Sequence, residues 1–121
     1  MEIEVVDQTD GMKQVLLTGN LSFKHTDQLK RVINDLIANH QNLKEVVIDV
    51  SRLNSIDSSG IGSLIYLYMH LKQEGIISLI ATGTDTDSYI NKCFKDTHLN
   101  KVLTFITSLS SPQTKITEID L

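Results

Sequence analysis

Residues 57–60 read Asp-Ser-Ser-Gly, and an apolar helical pattern begins directly behind them. Two chemistries suit that arrangement. At a helix start several backbone N–H groups have no partner within the helix, and Asp or Ser oxygens accept from them. Asp57 or Ser58 can therefore serve as a plain cap. The same free N–H groups, with the helix dipole behind them, also favour an anion. Gly60 and Gly62 let a phosphate or another chain come close to the backbone. On that reading Ser58 is a hydroxyl to which phosphate is added and from which it is removed. The four residues alone do not separate a cap from a phosphoacceptor.

Other groups with chemical potential carry less. Asp49 ends the β-branched run Val46-Val47-Ile48, the kind of place where receiver domains phosphorylate an aspartate. Such a site also needs an acidic pair after an earlier strand and a lysine after a later one, to hold Mg²⁺ and the phosphoryl group. Val15-Leu16-Leu17-Thr18-Gly19 supplies no acid and Ile80-Ala81-Thr82-Gly83 no lysine. Asp49 is instead expected to bind nearby backbone or a loop. Thr84-Asp85-Thr86-Asp87 lacks the glycine and distal glutamate of a calcium loop and reads as a helix cap. His25, His40, His70 and His98 have no metal-ligand spacing, and Cys93 falls on an apolar helix stripe. No nucleophile elbow, phosphate-binding loop or dinucleotide fingerprint is present. The expectation is a protein without catalysis, metal or cofactor.

The elements that must position Asp57–Gly60 follow from hydrophobic periodicity. Ile3-Glu4-Val5 alternates and Val15-Leu16-Leu17 is a compact apolar run. Asp10-Gly11 between them predicts an antiparallel hairpin with a loop longer than the minimal one. Leu29, Val32, Ile33, Leu36 and Ile37 keep helical spacing, with Thr26 or Ser22 available as the cap. Val46 to Val50 reads as a strand buried on both faces, at the centre of a parallel sheet. A helix is predicted from about Ser58 to Glu74, stopped by Gly75. Within it Ile61, Leu64, Ile65, Tyr68 and Leu71 are expected in the core. Ser59, Gly62, Ser63, Tyr66 and His70 are expected on the opposite side. There Tyr66 is either a docking aromatic among small residues or ordinary surface. Ile76–Ile80 is another strand, Ile90, Cys93 and Phe94 mark a third helix, and Val102–Ile106 a last strand. The tail reads either as a short helix after Ser111-Pro112 or as a strand over Thr114–Ile119. The order β-β-α-β-α-β-α-β implies an α/β fold with a mixed, mostly parallel sheet.

Bulk composition agrees with one domain over residues 1–121. Hydrophobic residues make up 40% of the chain, enough for a core without staples. Eleven Lys and Arg are scattered among fifteen Asp and Glu, for a net charge of −4. With no basic block, nucleic acid is not an expected partner. A single cysteine forbids an internal disulfide and fits a reducing compartment. The acidic N-terminus is no secretory signal and no apolar run spans a bilayer. The expectation is a cytoplasmic protein without membrane insertion.

The stretch VVIDVSRLNSIDSSGIGSLI resembles the anti-sigma factor antagonist family, whose domain is called STAS. Leu17-Thr18-Gly19-Asn20-Leu21 is similar to that family's Leu-Thr-Gly-Glu-Leu. Gly75 with its following strand, and Phe94, Leu99 and Val102, stand in the expected places. The resemblance covers roughly Ile3 to Phe105. It implies a single STAS domain with a four-to-five-stranded sheet packed with helices. It also implies a serine switch, with Ser58 as the phosphoacceptor. Unphosphorylated, such a protein binds a serine protein kinase that is an anti-sigma factor, and so frees a sigma factor. Phosphorylated, it lets go, and a serine phosphatase resets it. The partner-binding residues so implied are Asn20, Ser22, Asp57, Ser59, Gly60, Gly62, Ser63 and Tyr66. Two positions depart from the family pattern. Asn20 replaces a glutamate, and Ser22 stands where an acid often does; where that acid engages the kinase, the departure implies that this chain engages its partner differently or has a different one. The alternative is a non-switching STAS scaffold in a transporter or sensory complex, with Ser58 only a cap.

Overall fold

A computed structural model describes residues 1–8, 11–39, 42–85, 88–96 and 103–106. Strands β1 (Glu2–Asp7) and β2 (Met12–Leu21) form the expected hairpin, with Val5 opposite Val15 and a loop of more than two residues. Helix α1 (Thr26–Asn39), strand β3 (Glu45–Ile56), helix α2 (Ser58–Gln73), strand β4 (Ile77–Ala81), helix α3 (Tyr89–Asp96) and strand β5 (Phe105–Ile106) follow. The five strands lie in chain order, antiparallel between β1 and β2 and parallel thereafter. Val15, Ile48, Ile80 and Phe105 face one another across β2–β5, and all four belong to the main core.

Each parallel pair is joined through a helix, and the helices close over one face. Leu29, Ile33 and Leu36 of α1, Leu64, Leu67 and Leu71 of α2, and Ile90 and Phe94 of α3 all enter the same cluster. Val47, Leu79, Ala81 and Ile106 form a second, smaller cluster on the other face. Val46 through Val50 are therefore buried without a break, as a central parallel strand requires.

Two strands run further than their apolar runs suggest. β3 continues to Ile56, because β2 extends beside it to Leu21 through two irregularities in register. Leu53 and Ile56 are buried on this extension while Ser51, Arg52 and Asn54 are exposed. Asp49 thus sits mid-strand rather than at a strand end. It accepts from the Ser51 N–H at 2.9 Å and hydroxyl at 2.6 Å, and from the Gln14 amide at 3.2 Å. The expected caps of α1 also differ. The Ser22 hydroxyl accepts from Lys24 N–H and lies 3.2 Å from His25 Nδ1, whereas the Thr26 hydroxyl donates to the Phe23 carbonyl. Both organise the turn before the helix instead of accepting its first N–H groups. The readings that fall on Leu99, Val102 and the tail lie outside the described residues.

A buried amide fixes the loop between β4 and α3. Asn91 is 4% exposed, and its Nδ2 donates to the carbonyls of Thr82 (3.1 Å) and Asp85 (2.7 Å) and contacts Ser88 Oγ at 3.2 Å. Asn91→Ala removes the donor from both carbonyls. The Asp85 carbonyl keeps the Ser88 N–H, so the buried Thr82 carbonyl is the one left stranded, and urea denaturation is expected to show a loss of about 1–2 kcal/mol. An unchanged midpoint would show that water replaces the amide.

Candidate functional site

Asp57 organises the start of α2. Its backbone is extended (φ −97°, ψ 179°), and its Oδ1 accepts from Gly60 N at 2.8 Å, which makes it the N-cap. Its Oδ2 accepts from Phe23 N at 3.2 Å, and its own N–H donates to the Leu21 carbonyl at 3.2 Å. One carboxylate therefore both caps the helix and clips the β2–α1 loop to it. This brings Ser22 and the loop after it beside Ser58. Asn20, at the end of the same strand, is exposed and accepts from the Ser55 hydroxyl at 2.8 Å.

With Asp57 as cap, Ser58 takes the first helical position. Ser58 and Ser59 are both exposed, and neither hydroxyl has a hydrogen-bond partner among the described residues. The capping role that sequence allowed for Ser58 is filled by its neighbour.

The two glycines behind them serve different ends. Gly60 is buried, and a Cβ there would lie 2.5 Å from the Leu21 carbonyl oxygen and 2.7 Å from Ile56 Cγ1. Its contact is with the protein's own sheet, so Gly60 does not belong to an accessible surface. Gly62 is exposed, and a Cβ there would meet nothing within 4 Å.

The apolar stripe of α2 is rotated from the expected phase. Gly60, Ser63, Leu64, Leu67 and Leu71 are its buried residues, while Ile61, Ile65 and Tyr68 are only partly covered. Ser63 was expected on the outer side and is instead 3% exposed, its hydroxyl donating to the Gly60 carbonyl at 2.7 Å. Gly60 lets the helix lie close to the sheet, and the local bond satisfies the buried Ser63 hydroxyl. The exposed strip is accordingly Ser59, Gly62, Tyr66 and Met69, with His70 half-buried beside them.

Tyr66 is 49% exposed and its ring is held from two sides. Lys30 of α1 places its Nζ 4.7 Å from the ring centroid. His70 stacks nearly parallel to it, with centroids 5.9 Å apart. Phe23, at the loop clipped by Asp57, is 66% exposed. Neither Phe23 nor Lys30 was identified from sequence. A lone aromatic in a polar loop carries no periodic signal, and the Lys30–Tyr66 contact spans two helices. A cleft of about 410 Å³ lined by Tyr68, Lys72, Ile76 and Thr104 lies at the other end of α2, away from these residues.

A family model for the STAS domain matches residues 4–111. The chain belongs to the STAS domain family. Among solved structures, an anti-sigma factor antagonist from Mycobacterium paratuberculosis superposes with a TM-score of 0.72 at 21% identity, over 89% of this chain and 86% of that one. The Bacillus cell fate determinant SpoIIAA in its phosphorylated form gives a TM-score of 0.63 at 19% identity, over 88% and 93%. A sulfate transporter family protein from Wolinella succinogenes gives 0.62 at 18% identity, over 76% and 71%. At these identities the likeness is one of fold, shared by an anti-sigma factor antagonist and a sulfate transporter family protein alike. In this STAS domain no helix among the described residues is long and apolar enough to cross a membrane. No group of three or more His, Cys, Asp or Glu among them is arranged to hold a metal ion.

Proposed function

We propose that this STAS domain is an anti-sigma factor antagonist-like switch, phosphorylated on Ser58 by a serine kinase that it binds when unphosphorylated. The observation that carries the reading is the division of labour at the start of α2. Asp57 caps the helix, which leaves the Ser58 hydroxyl exposed and free of structural duty. A phosphate there would lie at a helix N-terminus, where anions are favoured. The docking surface comprises the loop from Asn20 through Phe23 and the exposed strip Ser59, Gly62 and Tyr66. Gly62 supports this reading, because nothing in the fold occupies the space above it. A serine phosphatase would reverse the modification. The SpoIIAA structure in a phosphorylated form is a neighbour of the same fold and supports this reading.

The test is incubation with a candidate anti-sigma factor serine kinase and ATP, followed by mapping of the phosphate by mass spectrometry. Label on Ser58, and its loss in Ser58→Ala, is the expected result. Label on Ser59 alone or on an aspartate, or undiminished label in Ser58→Ala, overturns the assignment. A complete absence of label, with a permease as the genetic neighbour, supports the non-switching scaffold instead.

Tyr66→Ala separates docking from packing. Kinase affinity is expected to fall about tenfold or more, because central aromatics dominate interfaces. Stability should change by no more than about 1 kcal/mol, since the residue is half exposed. Calorimetric titration and thermal melting read the two quantities. Equal affinity in the variant would make the strip ordinary surface.

A further inference from the structure

We infer that the partner of this face presents a carboxylate beside an apolar side chain, the carboxylate resting on Lys30 where that lysine covers Tyr66. The inference rests on the proposed docking site and adds the chemistry of what docks there.

The charge distribution points that way. The chain carries a net charge of −4 with fifteen acidic residues, yet α2 contains no carboxylate from Ser58 to Gln73. Three acids, Glu2, Glu4 and Asp7, lie instead on β1 at the sheet edge. Asp57, at the start of α2, has its oxygens turned to the N–H groups of Gly60 and Phe23. Against this, Lys30 and His70 both contact Tyr66 on the strip. Lys30 has no ion-pair partner among the described residues; its nearest acids in sequence, Asp27 and Asp35, do not pair with it. Its ammonium is placed by the Tyr66 ring rather than by a carboxylate. A cation held over an aromatic face keeps N–H donors for a further acceptor.

Apolar surface adjoins this charge. Phe23, Tyr66 and Met69 are 66%, 49% and 46% exposed. An occupant that buries them while neutralising Lys30 needs both an apolar and an acidic group. The same charge assignment fits the direction of the switch. Phosphate on Ser58 adds a charge of about −1.5 to −2 to this face. That addition repels an acidic partner, whereas a basic partner would be drawn more tightly to the phosphorylated form.

The experiment uses the candidate serine kinase of the labelling test, with binding rates measured at low and high salt for wild type, Lys30→Met and Lys30→Glu. Thermal melts confirm that each variant is folded. Wild-type affinity is expected to fall with salt, because the attraction is screened. Lys30→Glu should weaken binding about tenfold, mainly through slower association, and flatten the salt dependence, with Lys30→Met between the two. Ser58 remains the labelled residue throughout. Replacing the kinase's contacting acid by lysine should restore binding to Lys30→Glu. Lys30→Glu binding as tightly as wild type, or more tightly, while Ser58 is still labelled, overturns the acidic partner and leaves the Ser58 switch standing. A kinase that neither binds nor labels the wild-type protein removes both.

Discussion

Gly60→Ala is expected to destabilise the protein by about 1–2 kcal/mol, whereas Gly62→Ala, two residues along the same helix, should stabilise it. The added atom is one methyl group in both cases. At Gly60 it would lie 2.5 Å from the Leu21 carbonyl oxygen, 2.7 Å from Ile56 Cγ1 and 3.0 Å from Leu21 Cγ. The first is backbone and cannot rotate aside. It also accepts the Asp57 N–H, so pushing it away loosens the cap of α2. Overpacking of this kind costs about 1–3 kcal/mol and sometimes more. The gain in helix propensity from glycine to alanine returns at most about 1 kcal/mol. At Gly62 the new Cβ meets nothing within 4 Å, and only the favourable term of about 0.5–1 kcal/mol remains. For a chain of this length each kcal/mol moves the melting temperature by roughly 4 °C. Melts of the two variants should therefore shift in opposite directions. A Gly60→Ala protein that melts with wild type would show that α2 can slide off the end of β2 at no cost, and the close approach would have no energetic meaning.

That contrast also shows where sequence reading reaches its limit. The existence and order of the described strands and helices were legible, because β-branched runs and helical spacing report burial directly. The end of α2 was legible too. Gly75, at φ +76°, donates to the Lys72 carbonyl, and Ile76 N–H reaches back to Leu71. Those two bonds and the apolar Ile76 close the helix as a glycine after a helix ordinarily does. The phase of the same helix was not legible. Gly60 and Ser63 carry no apolar signal, yet they are buried because they are small, and the buried stripe turned to include them. The ends of β2 and β3 were hidden for a related reason. Thr18, Asn20, Arg52 and Asn54 are exposed on strands whose buried positions beyond the apolar runs are few. Within the site, the Asp-Ser-Ser-Gly element was visible, but the assignment of cap and free hydroxyl within it was not. Asp57 and Ser58 are equally good capping types, and the bond that further anchors Asp57 runs to Phe23, thirty-four residues away in sequence. The Lys30–Tyr66 contact likewise joins residues on two helices, and no local pattern announces it.

Phosphate on Ser58 is expected to weaken binding to the kinase about a hundredfold or more while leaving the fold in place. The fold should survive because the cap does not depend on Ser58. Asp57 keeps its bonds to Gly60 and Phe23, and the helix N-terminus offsets part of the new charge by roughly 0.3–1 kcal/mol at an exposed site. The neighbouring Asp57 carboxylate opposes it locally, and no other carboxylate follows in α2 to add to that repulsion. A partner packed over Ser59, Gly62 and Tyr66 meets the phosphate differently. It faces a bulky dianion at the rim of its contact, and must either desolvate it or withdraw. A hundredfold loss corresponds to about 2.7 kcal/mol, which one uncompensated charge at an interface can supply. Calorimetric titration of the phosphorylated and unphosphorylated forms measures it. Amide NMR spectra of the two forms should differ chiefly at residues 20–26 and 55–66, the loop that Asp57 clips and the helix that it caps. Ser58→Ala should bind with near wild-type affinity, because its hydroxyl makes no bond within the chain. If the phosphorylated form binds within about threefold of the unmodified one, less than 1 kcal/mol separates them and Ser58 is no switch. If binding is lost but shifts spread across the strands, the phosphate acts by remodelling the sheet, and the local account given by Asp57 and its two N–H partners fails.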